Sequence, residues 1–354
     1  MLLLRDAHRG DLKQLKALSA LLDSVNLPHD ERALAGIIDV SARSFAGAIR
    51  NPLERVYLFV LENAASGKLV GTSMLIAQHG TRESPCTFFN VDEREHYSST
   101  LDKHFRHKVL SIGYHFDGPT EIGGLVVHPG QRRTEHKPGK QLSFVRFLYI
   151  AMFRDRFRDA VLAELMPPLL AGGKSLFWES CGKRFTGLDY HEADKLSRVN
   201  KEFIQQLFPP YDIYATLLPP RVQRALGKVG PETEGVRVML ERLGFRYVDR
   251  IDPFDGGPHF EAHVADIPLV REHRRLRVSD ADLPAHLEPL DAPELLVGVS
   301  RPRARVHFRA VRAPARVLGE QIALPPRARE LLGVAPGDRV HSIPFTEVVT
   351  PRER

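Results

Sequence analysis

The first quarter of the chain alternates between strand-type and helix-type hydrophobic patterns. Residues 2–5 predict a short strand, and leucines at helical spacing predict a helix over 10–22. A second helix is predicted over 30–49. Two apolar runs at 56–61 and 69–76, separated by a short polar segment, are typical of an antiparallel hairpin. The predicted order is therefore β-α-α-β-β.

A buried strand, a basic turn and a helix form the centre of the pattern. Residues 121–129 are mostly apolar and contain two consecutive glycines; a basic loop follows, and an amphipathic helix is predicted over 141–157. Many enzymes hold the pyrophosphate of a nucleotide against the N-terminus of such a helix. The polar residues 80–118 before this unit predict an irregular connection with room for one further hairpin. Their histidines have no repeated spacing, so no zinc site is expected there.

The remainder of the core closes with a helix and two strands after an insertion. The predicted elements are a strand at 160–165, an insertion with one helix at 167–231, a helix at 232–243, a strand at 245–251, a turn at 254–258 and a strand at 260–264.

The last part of the chain differs in composition from the rest. After residue 267 it is rich in Arg and Pro, and two strand-like runs at 304–311 and 317–324 precede a helical turn. We therefore expect a core over 1–266, with insertions at 80–118 and 167–231, and a small β-rich subdomain over 267–354.

Composition limits the classes of protein to consider. The 354 residues are 43% hydrophobic, enough for a large core, and no window of about 18 apolar residues predicts a membrane span. The first apolar run is too short for a secretory signal. Only Cys86 and Cys181 occur, which predicts neither a disulfide framework nor a metal site and fits a reducing cytoplasm. A formal charge of +6 admits an anionic partner, but acidic residues are interleaved with the arginines, which makes nucleic acid an unlikely ligand.

The order of elements resembles that of the GNAT superfamily of acyl-CoA-dependent N-acyltransferases. The run from Val236 to Phe245 is similar to the last helix of that superfamily and the Gly-Phe strand start after it. The resemblance implies an α/β (α+β) fold with a mixed central sheet, to which the β-rich C-terminal subdomain is added.

Within that superfamily the chain resembles the arginine N-succinyltransferase family over nearly its whole length. The most specific likeness lies in Gly244-Phe245-Arg246-Tyr247, in Ile251-Asp252 and in Phe254-Asp255-Gly256-Gly257-Pro258. Further matching residues are Val60-Leu61-Glu62, Glu121 with Leu125, Ala151 with Phe153-Arg154-Asp155, Ala163-Glu164, Phe177-Trp178 and Gly182-Lys183-Arg184-Phe185. The resemblance implies transfer of a succinyl group from succinyl-CoA to the α-amine of L-arginine, the first step of an ammonia-producing catabolic route, with no metal.

The same resemblance implies where the acyl-CoA binds. The Arg-x-x-Gly-x-Gly pattern of the family corresponds here to residues 134–139, which keep only the last glycine, while basic residues around it supply charge. The expected contacts to the cofactor are Leu125, Val126, Val127, Arg132, Arg133, Lys137, Gly139 and Lys140.

The chain departs from the family at its proton donor. Where the resemblance places a Val-His-Pro, the sequence is Val229-Gly230-Pro231, and glycine cannot carry a proton. The candidate replacements are His259, Tyr211, Tyr214 and Glu121.

The two carboxylates of the expected substrates call for fixed cations, and the guanidinium of arginine calls for carboxylates. Lys183 and Arg184 are the candidate cations, and Asp255 and Glu261, which flank a glycine turn, are the candidate acids. Asn26 lies in a loop similar to the family's Ser-Leu-Pro loop and is expected to border the amine.

Two alternatives remain open from the sequence. The chain can be a divergent paralogue that acylates another amine, or a non-catalytic subunit of a homo- or hetero-oligomer. Residues 322–340 also resemble the swapped-hairpin modules of small bacterial DNA-binding regulators, which permits a nucleic-acid-binding role. The expected partner is nevertheless a small molecule, and no membrane is expected.

Overall fold

One mixed sheet of 16 strands runs through the described residues, and helices pack against it. The computed structural model describes residues 1–21, 27–82, 84–132, 134–170, 172–197, 202–281 and 292–346. The predicted mixed α/β class is confirmed.

The strands are β1 Leu2–Asp6, β2 Val56–Asn63, β3 Leu69–Ile76, β4 Cys86–Ser98, β5 Lys103–His115, β6 Thr120–Val127, β7 Ala160–Glu164, β8 Ile213–Tyr214, β9 Arg246–Ile251, β10 Pro258–His263, β11 Arg274–Val278, β12 Glu294–Ser300, β13 Phe308–Pro314, β14 Arg316–Leu318, β15 Gln321–Ala323 and β16 Arg339–Pro344. The α-helices are α1 Leu12–Ser19, α2 Glu31–Phe45, α3 Pro138–Met152, α4 Leu176–Ser180, α5 Gly182–Thr186, α6 Tyr190–Ser197, α7 Glu202–Leu207, α8 Pro220–Ala225, α9 Glu234–Arg242, α10 Pro268–Arg271 and α11 Pro326–Leu332. The strand order across the sheet is β14-β15-β11-β16-β12-β13-β1-β2-β3-β6-β7-β10-β9-β4-β5-β8.

The predicted opening order, including the β2–β3 hairpin, is confirmed. Helix α2 starts where the carboxylate of Asp30 accepts a hydrogen bond from the amide of Ala33. It ends at Phe45, earlier than predicted. The reason is Gly47, which takes a left-handed conformation with φ of 72° and stops the helix.

Residues 80–118 are more regular than the sequence predicts. The 13-residue strands β4 and β5 pair over their full length as a long antiparallel hairpin. In β4 the side chains after Asp92 are mostly exposed whichever way they point, so no alternation of apolar and polar residues marks the strand. The further hairpin that the sequence allowed for is present, but the prediction that the segment is irregular was wrong for this reason.

Helix α3 is buried on nearly every side, which corrects the prediction of an amphipathic helix at this place. All ten residues from Gln141 to Ile150 are buried. Helix α3 packs against β3 and β6, and it is also contacted by α10 and by the C-terminal strands β12 and β16. Phe144, for example, meets Phe345 edge to face with ring centroids 5.7 Å apart.

The C-terminal strands continue the sheet of the core. Strand β13 pairs with β1, with Leu4 opposite Ala310. The buried carboxylate of Asp6 accepts hydrogen bonds from the amide of Phe308 at 2.9 Å and from Nδ1 of His307 at 2.8 Å. The predicted β-rich character is confirmed, while the domain boundary at residue 266 stays a prediction.

The insertion at 167–231 contains more helix than predicted. Five short helices, α4 to α8, occur in its described residues, where the sequence suggested one. They share a separate apolar cluster centred on Trp178, which is fully buried and stacks on Phe254 at 5.2 Å. This cluster anchors the insertion next to the turn at 254–258.

Candidate active site

The two parallel strands β6 and β7 separate after a short paired segment. They pair only at Thr120–Val161 and at Glu121–Leu162. Beyond these pairs a cavity of about 210 Å³ opens between the strands, lined by residues 122–125 and 163–166. Helices α3, α6 and α9, the side chain of His79 and the turn at 252–255 complete its walls. The cavity is large enough for a reactive group and exposes strand backbone to it.

A break in the regular pairing of β6 shapes one wall of this cavity. The register between β3 and β6 shifts between Thr72 and Met74, and Gly124 opposite takes a φ of 57°. A Cβ at Gly124 would lie 3.2 Å from Cβ of Met74, so both the conformation and the space favour glycine. The bulge leaves Gly123, Gly124 and Leu125 at the edge of the cavity.

A histidine that the sequence did not single out shares the cavity with Glu121. Nδ1 of His79, which follows β3, donates a hydrogen bond to Oε2 of the buried Glu121. Burial alone would lower the pKa of His79, but the adjacent Cys86 and Glu121 outweigh it and raise that pKa well above the usual value. The pair with Glu121 therefore favours the protonated form of His79.

Acidic side chains gather on the side of the cavity formed by the 252–255 turn. Oδ1 of Asp252 accepts hydrogen bonds from the amides of Phe254 and Asp255 at 2.7 and 2.9 Å, and Oδ1 of Asp255 accepts one from Gly257 at 2.7 Å. Burial, reinforced by the charge of Asp252, raises the pKa of Asp255 well above its usual value. Asp255 thus both stabilises the turn and reaches the cavity.

A buried arginine lines the wall contributed by α3. The side chain of Arg146 is 2% exposed. Its Nε donates to the carbonyl of Ser143 at 3.2 Å and its Nη2 to the hydroxyl of Ser143 at 2.9 Å. Burial lowers the pKa of Arg146 to about 9, so the guanidinium remains charged at neutral pH.

Two groups of side chains near the cavity have donor atoms spaced closely enough for a metal ion. His79, Cys86 and Glu164 form one group, and Glu164, Asp252 and His259 form the other, with ligand atoms within 4.8 Å of one another. The hydrogen bond from His79 to Glu121 and those accepted by Asp252 occupy part of these donor sets without any ion.

The other candidate proton donors lie outside the cavity lining. His259 is buried on β10 with Nε2 3.5 Å from Oε1 of Glu164, and burial lowers its pKa to about 4. Tyr211 is 79% exposed. The hydroxyl of Tyr214, on β8, lies 3.2 Å from Nε2 of His96. Of the four candidates, the structure brings only Glu121 into the cavity.

Most candidate substrate residues also lie elsewhere. Lys183 pairs with Asp189 on the surface, and Arg184 is exposed on the same short helix α5. Glu261 pairs with Arg250 at 3.0 Å beside a second, open depression. Only Asp255 lines the cavity, and Asn26 lies outside the described residues. These assignments stay predictions.

The basic loop before α3 turns sharply into the helix. Lys137 caps the helix in a left-handed conformation with φ of 48°, and Pro138 occupies the first helical position, where a missing amide costs little. Lys140 places its ammonium 5.0 Å from the ring centres of Phe144 and Phe345. The loop can therefore offer the amides of Gly139 and Lys140 to an anion. Arg133 lies outside the described residues.

The remaining predicted cofactor contacts occupy two different settings. Leu125 borders the cavity, whereas the side chains of Val126 and Val127 are buried in the core on either side of the sheet. Arg132 donates from Nε to the carbonyl of Val127 at 3.2 Å, which ties the loop to the end of β6.

Gly230 lies against the backbone near the cavity. Its amide donates to the carbonyl of Met166 at 2.8 Å, and a Cβ at this position would lie 2.7 Å from the carbonyl oxygen of Pro167. Any side chain at position 230 therefore requires the backbone to shift. The local packing therefore suits glycine at position 230 and leaves no space for the histidine of the family.

Comparison with known proteins fits this arrangement. A family model described as "Arginine N-succinyltransferase beta subunit" matches residues 2–269, and one described as its C-terminal domain matches residues 274–344. The chain belongs to the arginine N-succinyltransferase family. It is 32% identical to an arginine N-succinyltransferase of Yersinia pestis over 99% of this chain and 100% of the relative. It is 31% identical to one of Escherichia coli over 97% of each chain.

A solved structure agrees with the family assignment. Subunit AI of the arginine/ornithine succinyltransferase of Pseudomonas aeruginosa is 31% identical and superposes with a TM-score of 0.81, covering 98% of this chain and 99% of that chain. The predicted GNAT-type fold is confirmed. Within the described residues, no helix combines the length and the apolar character needed to cross a bilayer.

His79 and Arg146 are among the cavity residues that the sequence analysis did not single out. His79 follows the end of a strand and has no motif around it. Arg146 had a readable signal, because it interrupts the apolar run of α3 between Val145 and Phe147. A charge at a core position of a buried helix indicates a special role.

Proposed function

We propose that this chain transfers the succinyl group of succinyl-CoA to the α-amine of L-arginine. The observation that carries the proposal is the cavity between β6 and β7 in a member of this family. Its walls hold a histidine with a raised pKa, a buried guanidinium and a group of carboxylates. These are the groups that a thioester, a dicarboxylic acyl chain and a cationic amino acid require.

The N-terminus of α3 supports binding of the CoA pyrophosphate. Helix α3 has 15 residues, so its N-terminus carries a partial positive charge and free amides. Arg132 and Lys137 add charge in the loop. Lys140 contributes through its backbone, because its side chain packs on two aromatic rings.

The chemistry follows from the order of bonds made and broken. The neutral amine attacks the thioester carbonyl, an N–C bond forms, the C–S bond breaks, and the amine loses a proton to solvent. Backbone amides along 123–125 are our candidates for stabilising the oxyanion. The departing thiolate takes a proton from His79, which replaces the family histidine absent at Gly230, and His79 then recovers a proton from solvent, so that the amine proton is balanced by the thiol proton. Glu121 holds the imidazole in place and raises its pKa.

The carboxylates of the 252–255 turn suit the guanidinium of the substrate. Asp252 and Asp255 are fixed by backbone amides, so their orientation is set before a ligand arrives. A guanidinium bound there would favour the ionised form of Asp255.

The test is release of free CoA thiol by purified protein given succinyl-CoA and L-arginine, with the product identified by mass. Reactions without amine and with acetyl-CoA serve as controls. Absence of thiol release across L-arginine, L-ornithine and L-lysine, while the Escherichia coli relative turns over in the same buffer, would refute the proposal.

We also propose a cytoplasmic location and an assembly of more than one chain. Both thiols, Cys86 and Cys181, are free and buried, which fits a reducing compartment. The family description names a beta subunit and the Pseudomonas structure a subunit AI, so association with like or related chains is expected. Mass measurement of the native protein checks this.

A further inference from the structure

Within the described residues, the hydrogen bonds of the buried Arg146 go only to its own helix. Both of its hydrogen bonds go to Ser143, one turn earlier on α3, so they orient the guanidinium without neutralising it. Ser143 is fully buried, which fixes that anchor. These two bonds leave other donors of the guanidinium fork unused, and the side chain lines the cavity.

No carboxylate in the described part of the chain pairs with Arg146. The cavity is also lined by Glu121, Glu164, Asp194, Asp252 and Asp255, but none of these carboxylates forms an ion pair with Arg146, and burial is the influence that shifts the pKa of Arg146. An uncompensated buried charge is strongly unfavourable unless a ligand completes the pair. Burial of this unpaired charge therefore destabilises the folded protein, and an anionic ligand that pairs with it would remove that destabilisation.

We propose that Arg146 is the carboxylate receptor of this cavity and a specificity-determining residue of the reaction. The planar fork of arginine binds carboxylates through two parallel hydrogen bonds, which suits this group better than a surface lysine. The carboxylate has two possible sources in the proposed reaction: the free end of the succinyl group and the α-carboxylate of the amino acid. This inference rests on the proposed function.

Arg146 also provides the fixed cation that the sequence analysis expects for a substrate carboxylate. Lys183 pairs with Asp189 and Glu179 on the surface, so its charge is already compensated. Among the described residues that line the cavity, Arg146 is the arginine.

The test compares Arg146→Met with the wild type on two matched substrate pairs. The first pair is succinyl-CoA and butyryl-CoA with L-arginine; the acyl chains have equal length and differ in the terminal carboxylate. The second pair is L-arginine and agmatine, its decarboxylated analogue, with succinyl-CoA. In the variant, kcat/KM should fall about 10- to 100-fold for the carboxylate-bearing member of one pair and much less for the other member.

The substrate pair whose kcat/KM ratio falls in the variant identifies the carboxylate that Arg146 binds. A collapsed succinyl-to-butyryl ratio assigns Arg146 to the acyl group, and a collapsed arginine-to-agmatine ratio assigns it to the amino acid. If both ratios stay at their wild-type values, or all substrates lose the same factor, Arg146 is structural and the proposal is overturned. Arg154→Met, at the surface beyond the end of α3, is the control that should leave both ratios unchanged.

Two further measurements keep the outcome interpretable. If Arg146→Met does not fold, Arg146→Gln, which can keep a hydrogen bond to Ser143, is put through the same comparison. If the wild type shows no turnover, the proposed function fails, and calorimetric titration with succinyl-CoA and butyryl-CoA still tests Arg146. That titration gives two affinity ratios for each protein: succinyl-CoA to butyryl-CoA, and L-arginine to agmatine. If both ratios are the same in the wild type and in the variant, the receptor role is contradicted.

Discussion

Nδ1 of His79 donates a hydrogen bond to the carboxylate of Glu121, at the position where β6 and β7 stop pairing. The two residues are 42 positions apart in sequence. Glu121 is the last residue of β6 that pairs with β7, so the sheet fixes the acceptor while the segment after β3 delivers the imidazole. This pair is the proton donor that we propose in place of the family histidine.

Replacing His79 by Gln should lower kcat by about 100-fold or more, since a positioned general acid contributes about 10²- to 10⁴-fold. Steady-state thiol release measures it. His104→Gln, on the exposed hairpin beside Glu95, is the matched control and should retain full activity. Wild-type turnover by the His79→Gln variant would remove His79 from the mechanism.

The pH profile should reveal the same pair. The pKa of His79 is raised, so its acid form persists above the usual range and activity is lost as the pH rises through that pKa. Glu121→Gln removes a negative charge and lowers the pKa of His79, so the alkaline limb of kcat should move to lower pH. An alkaline limb at the same pH in the wild type and Glu121→Gln would contradict the coupling.

Gly230→Ala should destabilise the fold by about 1–3 kcal/mol, because the added Cβ meets the carbonyl oxygen of Pro167. Chemical denaturation measures the change. The control is Gly235→Ala in the exposed part of α9, where a Cβ has open space and should stabilise by about 0.5–1 kcal/mol. Equal stability of the two variants would show that Gly230 is replaceable.

Asp255→Asn should raise the KM for L-arginine while leaving stability unchanged or higher. The pKa of Asp255 is raised by burial, so the folded state holds a proton that the unfolded state releases, and stability falls as the pH rises from about 4 to the folded pKa. Asn removes that loss and keeps the oxygen that accepts from Gly257. Thermal unfolding and saturation kinetics test the two effects; an unchanged KM would argue against this residue as a substrate contact.

Asp6→Ala should cost about 1–3 kcal/mol by leaving the amide of Phe308 without its buried partner. This carboxylate joins the first strand to β13 and so couples the C-terminal strands to the core. Asp39→Ala, which removes a surface pair with Arg9, should change stability by less than about 1 kcal/mol. A small effect at Asp6 would mean that strand pairing alone joins the two parts.

Much of the fold was readable because the chain's local patterns are strong. The β2–β3 hairpin, the central strand and the closing α9-β9-β10 unit follow directly from alternation and helical spacing. The sequence allowed for one further hairpin at 80–118, but the length of the β4–β5 hairpin was not predicted, because an exposed strand needs no apolar face. Helix α3 was misread as amphipathic because the strands that cover it lie about 150 residues further along the chain.

The sequence by itself determined the family, the central Glu121–Leu125 strand and the absence of a histidine at position 230. These depend on residue identities and short spacings. Only the tertiary structure placed His79 against Glu121, put Arg146 in the cavity with no ion pair to a described carboxylate, and put Lys183 on the surface. Burial and long-range proximity set the charge and reach of a side chain, and both arise from packing between segments far apart in sequence.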